Sequence, residues 1–378
     1  MARHTLSHYG ARPMACQCRA RTALPALVFA CYTDGNMKPT QHAADLRNDC
    51  TAIERVLKAL PDRIRPSVLR NEPLRRYTTL RVGGPADLYY AATTTEDLTE
   101  VLAAVQQAGI PWFLLGGGSN ICVSDRGFRG LVIHNLCRRC HVSEITHVDT
   151  GYPLMQLFLD SARESLSGLE FAVGIPGTVG GALVSNAGAY RHNIGDLVEE
   201  LEVVEAGERR IVPPDWMGFS YRNSRLRLSG SPQAAVVSVR LRLTPAPRSM
   251  ILAEARQNQA RRIWRQPWYA SAGSFFKNVV DRDLAQKIPG LPQTLRDAGV
   301  IPAGYLSEAC GCKGLTVGGA QVSTRHANFI INRGNATAAD IRRLAETVKA
   351  RVYEAFGVRL EEEVLYVGDW DDPASPHA

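Results

Sequence analysis

The chain has 378 residues, 45% of them apolar and 21% charged, with a net charge of +7. That length supports two or three domains, and the composition is that of an ordinary globular protein, not a collagen-like, disordered or membrane-spanning chain. Four of the positive charges (Arg3, Arg12, Arg19 and Arg21) fall in residues 1–33, which hold no acid, so the body is only modestly basic and neither a nucleic acid nor a membrane is expected as a partner.

Residues 1–45 read as a disordered or mis-called extension, with Met37 the favoured true start. The apolar run 24–31 is short and broken by Pro25, a poor match to a secretory signal, although an Arg-rich, acid-free tail also permits a transit peptide. Nine scattered cysteines are no disulfide framework and suit a reducing cytoplasm. Cys137 and Cys140, close to His134 and His141, offer half of a zinc spacing, but Cys310 and Cys312 stand far downstream, so no metal is expected.

A helix is predicted over 45–60, ended by Pro61 and Pro66, and residues 46–76 read as a helical lead-in to the first domain. Residues 80–91 read as strand, turn, strand. Thr94 and Asp97 have capping-box spacing before a helix whose apolar face is Leu98, Val101, Leu102 and Val105, with Gly109 at its stop. An apolar strand, 112–115, then delivers a loop of Gly116, Gly117, Gly118, Ser119 and Asn120. A strand at 131–133 and a helix over 153–164 follow.

Residues 171–190 are the centre of the pattern: Gly174, Gly177, Gly180, Gly181 and Gly188 lie among small and apolar residues without a charge. Such a run wraps a flat or phosphorylated ligand through main-chain N–H groups, or makes a plain turn between buried strands. Neither glycine loop has GxGxxG or GxxxxGK[ST] spacing, so Rossmann and P-loop readings fail. Strands are predicted at 197–206 and 234–243, and 244–248 (TPAPR) reads as a linker and domain boundary. A helix over 251–264 leads to Ser274, which lacks a Gly-x-Ser-x-Gly elbow and a neighbouring histidine base. That context suits a proton donor or a strand-start serine, not a nucleophile. Thr337, with Asp340 three residues on, caps a last helix closed by Gly357. Arg222 has the planar fork that suits a carboxylate, or it is a surface residue of a polar turn. Before the final strand, 364–367, alternation puts Glu361 and Glu363 on one face and does not choose between them.

Seven collinear pieces carry a family resemblance: TTLRVGGPAD (78–87), GGGSN (116–120), GIPGTVGG with NAGAY (174–190), YRNS (221–224), GSFFKN (273–278), HANFIIN (326–332) and LEEEV (360–364). Together they resemble the UDP-N-acetylenolpyruvoylglucosamine reductase family over roughly residues 74–368. The resemblance implies an α+β chain: an FAD-binding domain of the vanillyl-alcohol-oxidase (PCMH) type over 77–245, then a smaller mixed α/β substrate domain over 250–368. It implies FAD held non-covalently by Gly116, Gly117, Gly118, Ser119, Asn120, Gly174, Gly177, Thr178, Gly181, Asn186, Gly188 and Ala189. It implies NADPH as reductant and UDP-N-acetylglucosamine enolpyruvate as substrate, in peptidoglycan precursor synthesis. Ser274 matches the family's general acid, and Arg222 and Glu363 match its other two catalytic residues. Tyr221, Asn278 and Arg262 match substrate-binding positions, with Arg261 or Arg265 able to replace Arg262, and His326 and Asn328 are expected to hold a turn. The run after Ser224 lacks the family's loop tyrosine, which is the pattern of its second type, and 279–303 resembles an insertion. A flavin oxidase of the same superfamily with another substrate is the alternative.

Overall fold

The computed structural model describes residues 50–227, 234–264 and 266–370. The expected tail, Met37 and Arg265 lie outside the described residues. Helix Cys50–Ala59 ends before Pro61, as its sequence requires. After it the described part of the 46–76 lead-in holds only the short 3-10 turns Arg65–Ser67 and Leu74–Tyr77, and Leu69–Pro73 is a strand, antiparallel to Pro85–Ala92. No strand forms at 80–84 either, because Arg81 (φ 56°) and Gly83 (φ 126°) turn the backbone out of the extended region.

The first sheet runs in the order Leu69–Pro73, Pro85–Ala92, Phe128–Asn135, Trp112–Leu115, and its last two pairings are parallel. Helix Thr95–Gln107 makes the crossover, and its Thr94 cap accepts from the Asp97 N–H as the spacing predicts. Leu98, Val101, Leu102 and Val105 are buried between this sheet and a second one, where they meet Val204, Ala235 and Val237. The second sheet is antiparallel, in the order Glu208–Val212, Val198–Glu205, Ala234–Arg242, Ile145–Asp149, Cys140–His141. The glycine-rich segment and helix Leu154–Arg163 cover its other face, with Leu157, Phe158, Phe171, Val179 and Leu183 in one core.

The expected linker is not a boundary in the packing. Thr244–Pro245 pairs with Leu166–Ser167, and the following helix, Arg248–Ile263, buries Ile251 and Ala255 in that same first-lobe core. The packing changes after this helix. There a four-stranded sheet (Ala270–Ser271, Ile330–Asn332, Ala320–Val322, Thr316–Val317) lies against helix Ala338–Phe356. The capping box of Thr337 and Asp340 is present, and Gly357 ends the helix at φ 68°. Residues 279–303 form two short helices, Arg282–Lys287 and Gln293–Ala298, between the paired strands Val279–Val280 and Val300–Ile301. Ala285, Ile288 and Leu291 bury this segment in the second-lobe core.

The final strand, Leu365–Val367, crosses back. It pairs in parallel with Ile121–Val123, the strand that follows the GGGSN loop.

Candidate active site

The site forms where the end of the chain meets both glycine loops. Residues 275–277 run antiparallel to 361–363: the Lys277 N–H donates to the Glu361 carbonyl, and the Glu363 N–H donates to the Phe275 carbonyl at 2.8 Å. The Val364 N–H aims at that same carbonyl from 3.5 Å, so two residues oppose one in the manner of a bulge. Asn328 locks the other side, with its amide taking both the N–H and the carbonyl of Phe276. His326 Nδ1 accepts from the Asn328 N–H, so the pair holds a turn as expected. Ser274 stands at the head of this ladder, half-buried. Its hydroxyl makes no hydrogen bond to a described residue.

The three adjacent glutamates part company. Glu361 is exposed and pairs with Lys277, and Glu362 pairs with Lys349. The Glu363 carboxylate is 19% exposed, and its Oε1 lies 2.9 Å from Arg222 Nε. Burial pushes the Glu363 carboxyl up from its ordinary value, against the pull of Arg222, Arg227 and Lys277. Arg222 itself takes the left-handed conformation, φ 53°. Its Nη2 donates to the Gly188 carbonyl at 2.6 Å, and Nη1 reaches the Asn186 carbonyl at 3.5 Å. The Asn186 side chain bonds the Ser220 carbonyl and the Gly195 N–H. Asn186 and Gly188, assigned to the cofactor by resemblance, therefore hold the arginine turn.

The loops show where a phosphorylated ligand fits. Thr79 N–H donates to the Gly118 carbonyl, while none of the main-chain N–H groups of residues 116–120 donates to another described residue. An open cleft of about 310 Å³ lies over Gly116 and Gly117, walled by Tyr77, Thr78, Thr79 and His134. Unpaired main-chain donors beside a cleft are what a diphosphate takes, so this loop fits FAD. In the second loop some of the main-chain donors are already engaged. Val179 and Gly180 N–H groups go to Tyr152 and Thr150, and that of Gly181 goes to its Thr178 cap. Gly177 sits at φ 117°, where a Cβ would lie 2.7 Å from Ser119 Oγ, and a Cβ on Gly117 would lie 2.8 Å from Gly177 Cα. These glycines let the two loops touch each other. Ser119 Oγ seals the contact by donating to the Pro176 carbonyl. Ala189 sits in a two-residue hairpin with His192.

Of the substrate candidates, Tyr221 and Asn278 come together: Asn278 acts on the Tyr221 hydroxyl, and the Arg222 guanidinium lies 5.6 Å from the Tyr221 ring. Asn278 Oδ1 also accepts from the Ala303 N–H. Arg262 packs against the glycine-rich segment. Its Nη2 donates to the Phe171 carbonyl, and its guanidinium faces the Tyr190 ring together with that of Arg261. The cysteines near His134 take no part. Burial pushes the Cys137 and Cys140 thiols up to about 12 and about 11, and His134 Nδ1 is engaged by the Tyr89 hydroxyl.

Sequence reasoning missed Arg227. It is buried, and its Nη2 donates to the carbonyls of Glu363 at 2.6 Å and Glu362 at 3.2 Å. Asn120 Nδ2 donates to the same Glu363 carbonyl at 3.0 Å. A third arginine, five positions after Arg222, was the only local signal.

Comparison with known proteins agrees with this geometry. Residues 86–211 match a family model described as an FAD binding domain. Residues 266–367 match the UDP-N-acetylenolpyruvoylglucosamine reductase C-terminal domain, a start that falls after helix Arg248–Ile263, where the packing changes. The chain is 42% identical over 306 residues to the UDP-N-acetylenolpyruvoylglucosamine reductase of Moorella thermoacetica, covering 80% of this chain and 94% of that one. It is 38% identical over 307 residues to that of Heliobacterium modesticaldum, covering 80% and 91%. The crystal structure of the reductase from Thermus caldophilus superposes with a TM-score of 0.63 at 34% identity, covering 79% of this chain and 98% of that one.

Proposed function

This chain belongs to the UDP-N-acetylenolpyruvoylglucosamine reductase family, and from that premise we propose how its residues divide the work. The enzyme is an FAD-dependent oxidoreductase that uses NADPH to reduce UDP-N-acetylglucosamine enolpyruvate to UDP-N-acetylmuramate for peptidoglycan. Bound FAD supplies a hydride relay, from NADPH to the enolpyruvyl carbon farther from the carboxylate. The protein's task is the charge left behind. That charge sits on the carbon next to the carboxylate and spreads into it as an enolate. Arg222 faces the enolate with a fixed guanidinium, and Glu363, whose carboxyl burial pushes toward the protonated form, donates to an enolate oxygen when it carries the proton. The free hydroxyl of Ser274 delivers the proton to carbon. Tyr221 and Asn278 hold the sugar nucleotide beside this group, and the main-chain donors of residues 116–120 hold the FAD diphosphate. No tyrosine stands between Ser224 and Ala234, which suits the family's second type.

The observation that carries these roles is the meeting of Arg222 with Glu363 on the ladder headed by Ser274, beside a loop of unpaired donors. Cys122, Cys137, Cys140, Cys310 and Cys312 are free thiols, which suits a reducing, cytoplasmic setting. No helix among the described residues is long and apolar enough to cross a membrane. The test is anaerobic. Purified protein should show a flavin spectrum that NADPH bleaches and the enolpyruvyl substrate restores, with FAD released on denaturation. A flavin that stays with the chain after denaturation, or one that the substrate does not reoxidise, would overturn the reading.

A further inference from the structure

Arg227 ends a short turn, Arg225–Arg227, and is 8% exposed. One side of its guanidinium is accounted for, since Nη2 bonds the carbonyls of Glu362 and Glu363. The other is not: Nη1 is buried with no hydrogen-bond partner among the described residues. A buried charged donor left unpaired is costly, and a fold keeps one where an acceptor arrives from outside. The acceptor's location follows from the neighbours. Glu363 is gripped at its carboxylate by Arg222 and at its carbonyl by Arg227 and Asn120, and Asn120 belongs to the loop that fits FAD. Arg227 thus joins the Glu363 strand to the cofactor loop.

We propose that Arg227 is a fourth arm of the reducing site: Nη2 positions Glu363, and Nη1 is the donor reserved for a charge-bearing oxygen of a bound ligand. Two ligands carry such an oxygen here, the pyrimidine edge of the flavin and the carboxylate of the enolpyruvyl group. The proposal rests on the function given above, in which both occupy this site. It accounts for an arginine where a lysine would satisfy the Glu363 carbonyl, because only the fork offers a second donor in a fixed direction.

Arg227→Lys is the informative variant, since it keeps the charge and one donor within reach of Glu363 but removes the second. Thermal melting, FAD titration of the apoprotein, substrate affinity and the two anaerobic half-reactions are measured on the full chain. The variant should melt like the parent and lose about 10- to 100-fold in one affinity, the loss expected for one hydrogen bond to a charged group. A weakened FAD titration identifies the flavin edge as the acceptor. A normal FAD titration with weakened substrate binding and slow reoxidation identifies the carboxylate. Arg227→Gln should add a shift in the pH profile of reoxidation, because Glu363 then loses a neighbouring charge. The proposal is overturned if the lysine variant matches the parent in every measurement. It is equally overturned if that variant fails to fold, because Arg227 is then a structural clamp. If the parent itself is not reoxidised by the enolpyruvyl substrate, the function assigned above fails, not the role of Arg227 in binding.

Discussion

Glu363 carries opposed demands. Three cations pull its carboxyl toward ionisation and burial pushes it the other way, with burial winning. Its proton affinity is therefore higher in the folded chain than in the unfolded one. This acid contributes stability in full below its unfolded value of about 4.3 and loses it as pH rises through the folded value. If Glu363 donates to the enolate as proposed, reoxidation should decline over that same rise, because the ionised group no longer donates. Glu363→Gln should flatten this alkaline limb in a stopped-flow pH profile. A glutamine variant that keeps the limb would show that another group titrates. In the proposed mechanism Ser274 acts only after hydride has moved, which gives it a different signature. Ser274→Ala should leave reduction by NADPH nearly intact and slow reoxidation by about 10²–10⁴, the range for loss of a general acid. Ser274→Cys should recover part of the rate. Equal damage to both half-reactions would make the serine a structural residue.

At the scale of elements, helix Ala338–Phe356 shows what the sequence conceals. Its local cap was legible, because Thr337 and Asp340 stand at the required spacing. A second cap was not. The Asp125 carboxylate, from the first lobe, accepts from the N–H groups of Ala338 and Ala339 at 2.8 and 2.9 Å. Asp125→Ala should cost about 1 kcal/mol of stability, as for loss of an N-cap, read as a shift in the denaturation midpoint. An unchanged midpoint would mean that water replaces the cap without loss. The same divide runs through the site. Periodicity and caps gave the helices 95–107, 154–163 and 338–356, because their signals lie within a few residues. Strand Leu69–Pro73 escaped, since its pattern of Arg70, Asn71 and Glu72 suits an exposed edge and carries no apolar alternation. Arg222, Ser274 and Glu363 were singled out only through the family resemblance, and Arg222 and Glu363 do meet. Arg227 was not, because its partners are main-chain carbonyls, and no side-chain pattern marks a carbonyl.

Across the whole molecule, the two lobes are sewn together at one seam. Leu365–Val367 pairs with Ile121–Val123, the Ser124 N–H donates to the Val367 carbonyl, and the Asp369 N–H donates to the Gly127 carbonyl. Asn332 Nδ2 adds a bond to the Leu80 carbonyl. A seam that shares strands and caps couples the lobes, so circular dichroism and flavin release should report a single thermal transition. Free FAD at a hundred times its dissociation constant should raise stability by about 2.7 kcal/mol. Two separated transitions would show that the lobes melt independently.

The seam also sets a timetable for biosynthesis. Asn120 and the Glu363 carbonyl it holds are 243 positions apart. At roughly 5–20 residues per second of translation, the cofactor loop waits about 12–50 s for its last support. Flavin capture by a nascent chain is therefore a late event. A ribosome stalled before Leu360 should display a first lobe that is largely built yet retains no FAD, and a premature stop at that point leaves an empty flavoprotein instead of a weakened reductase.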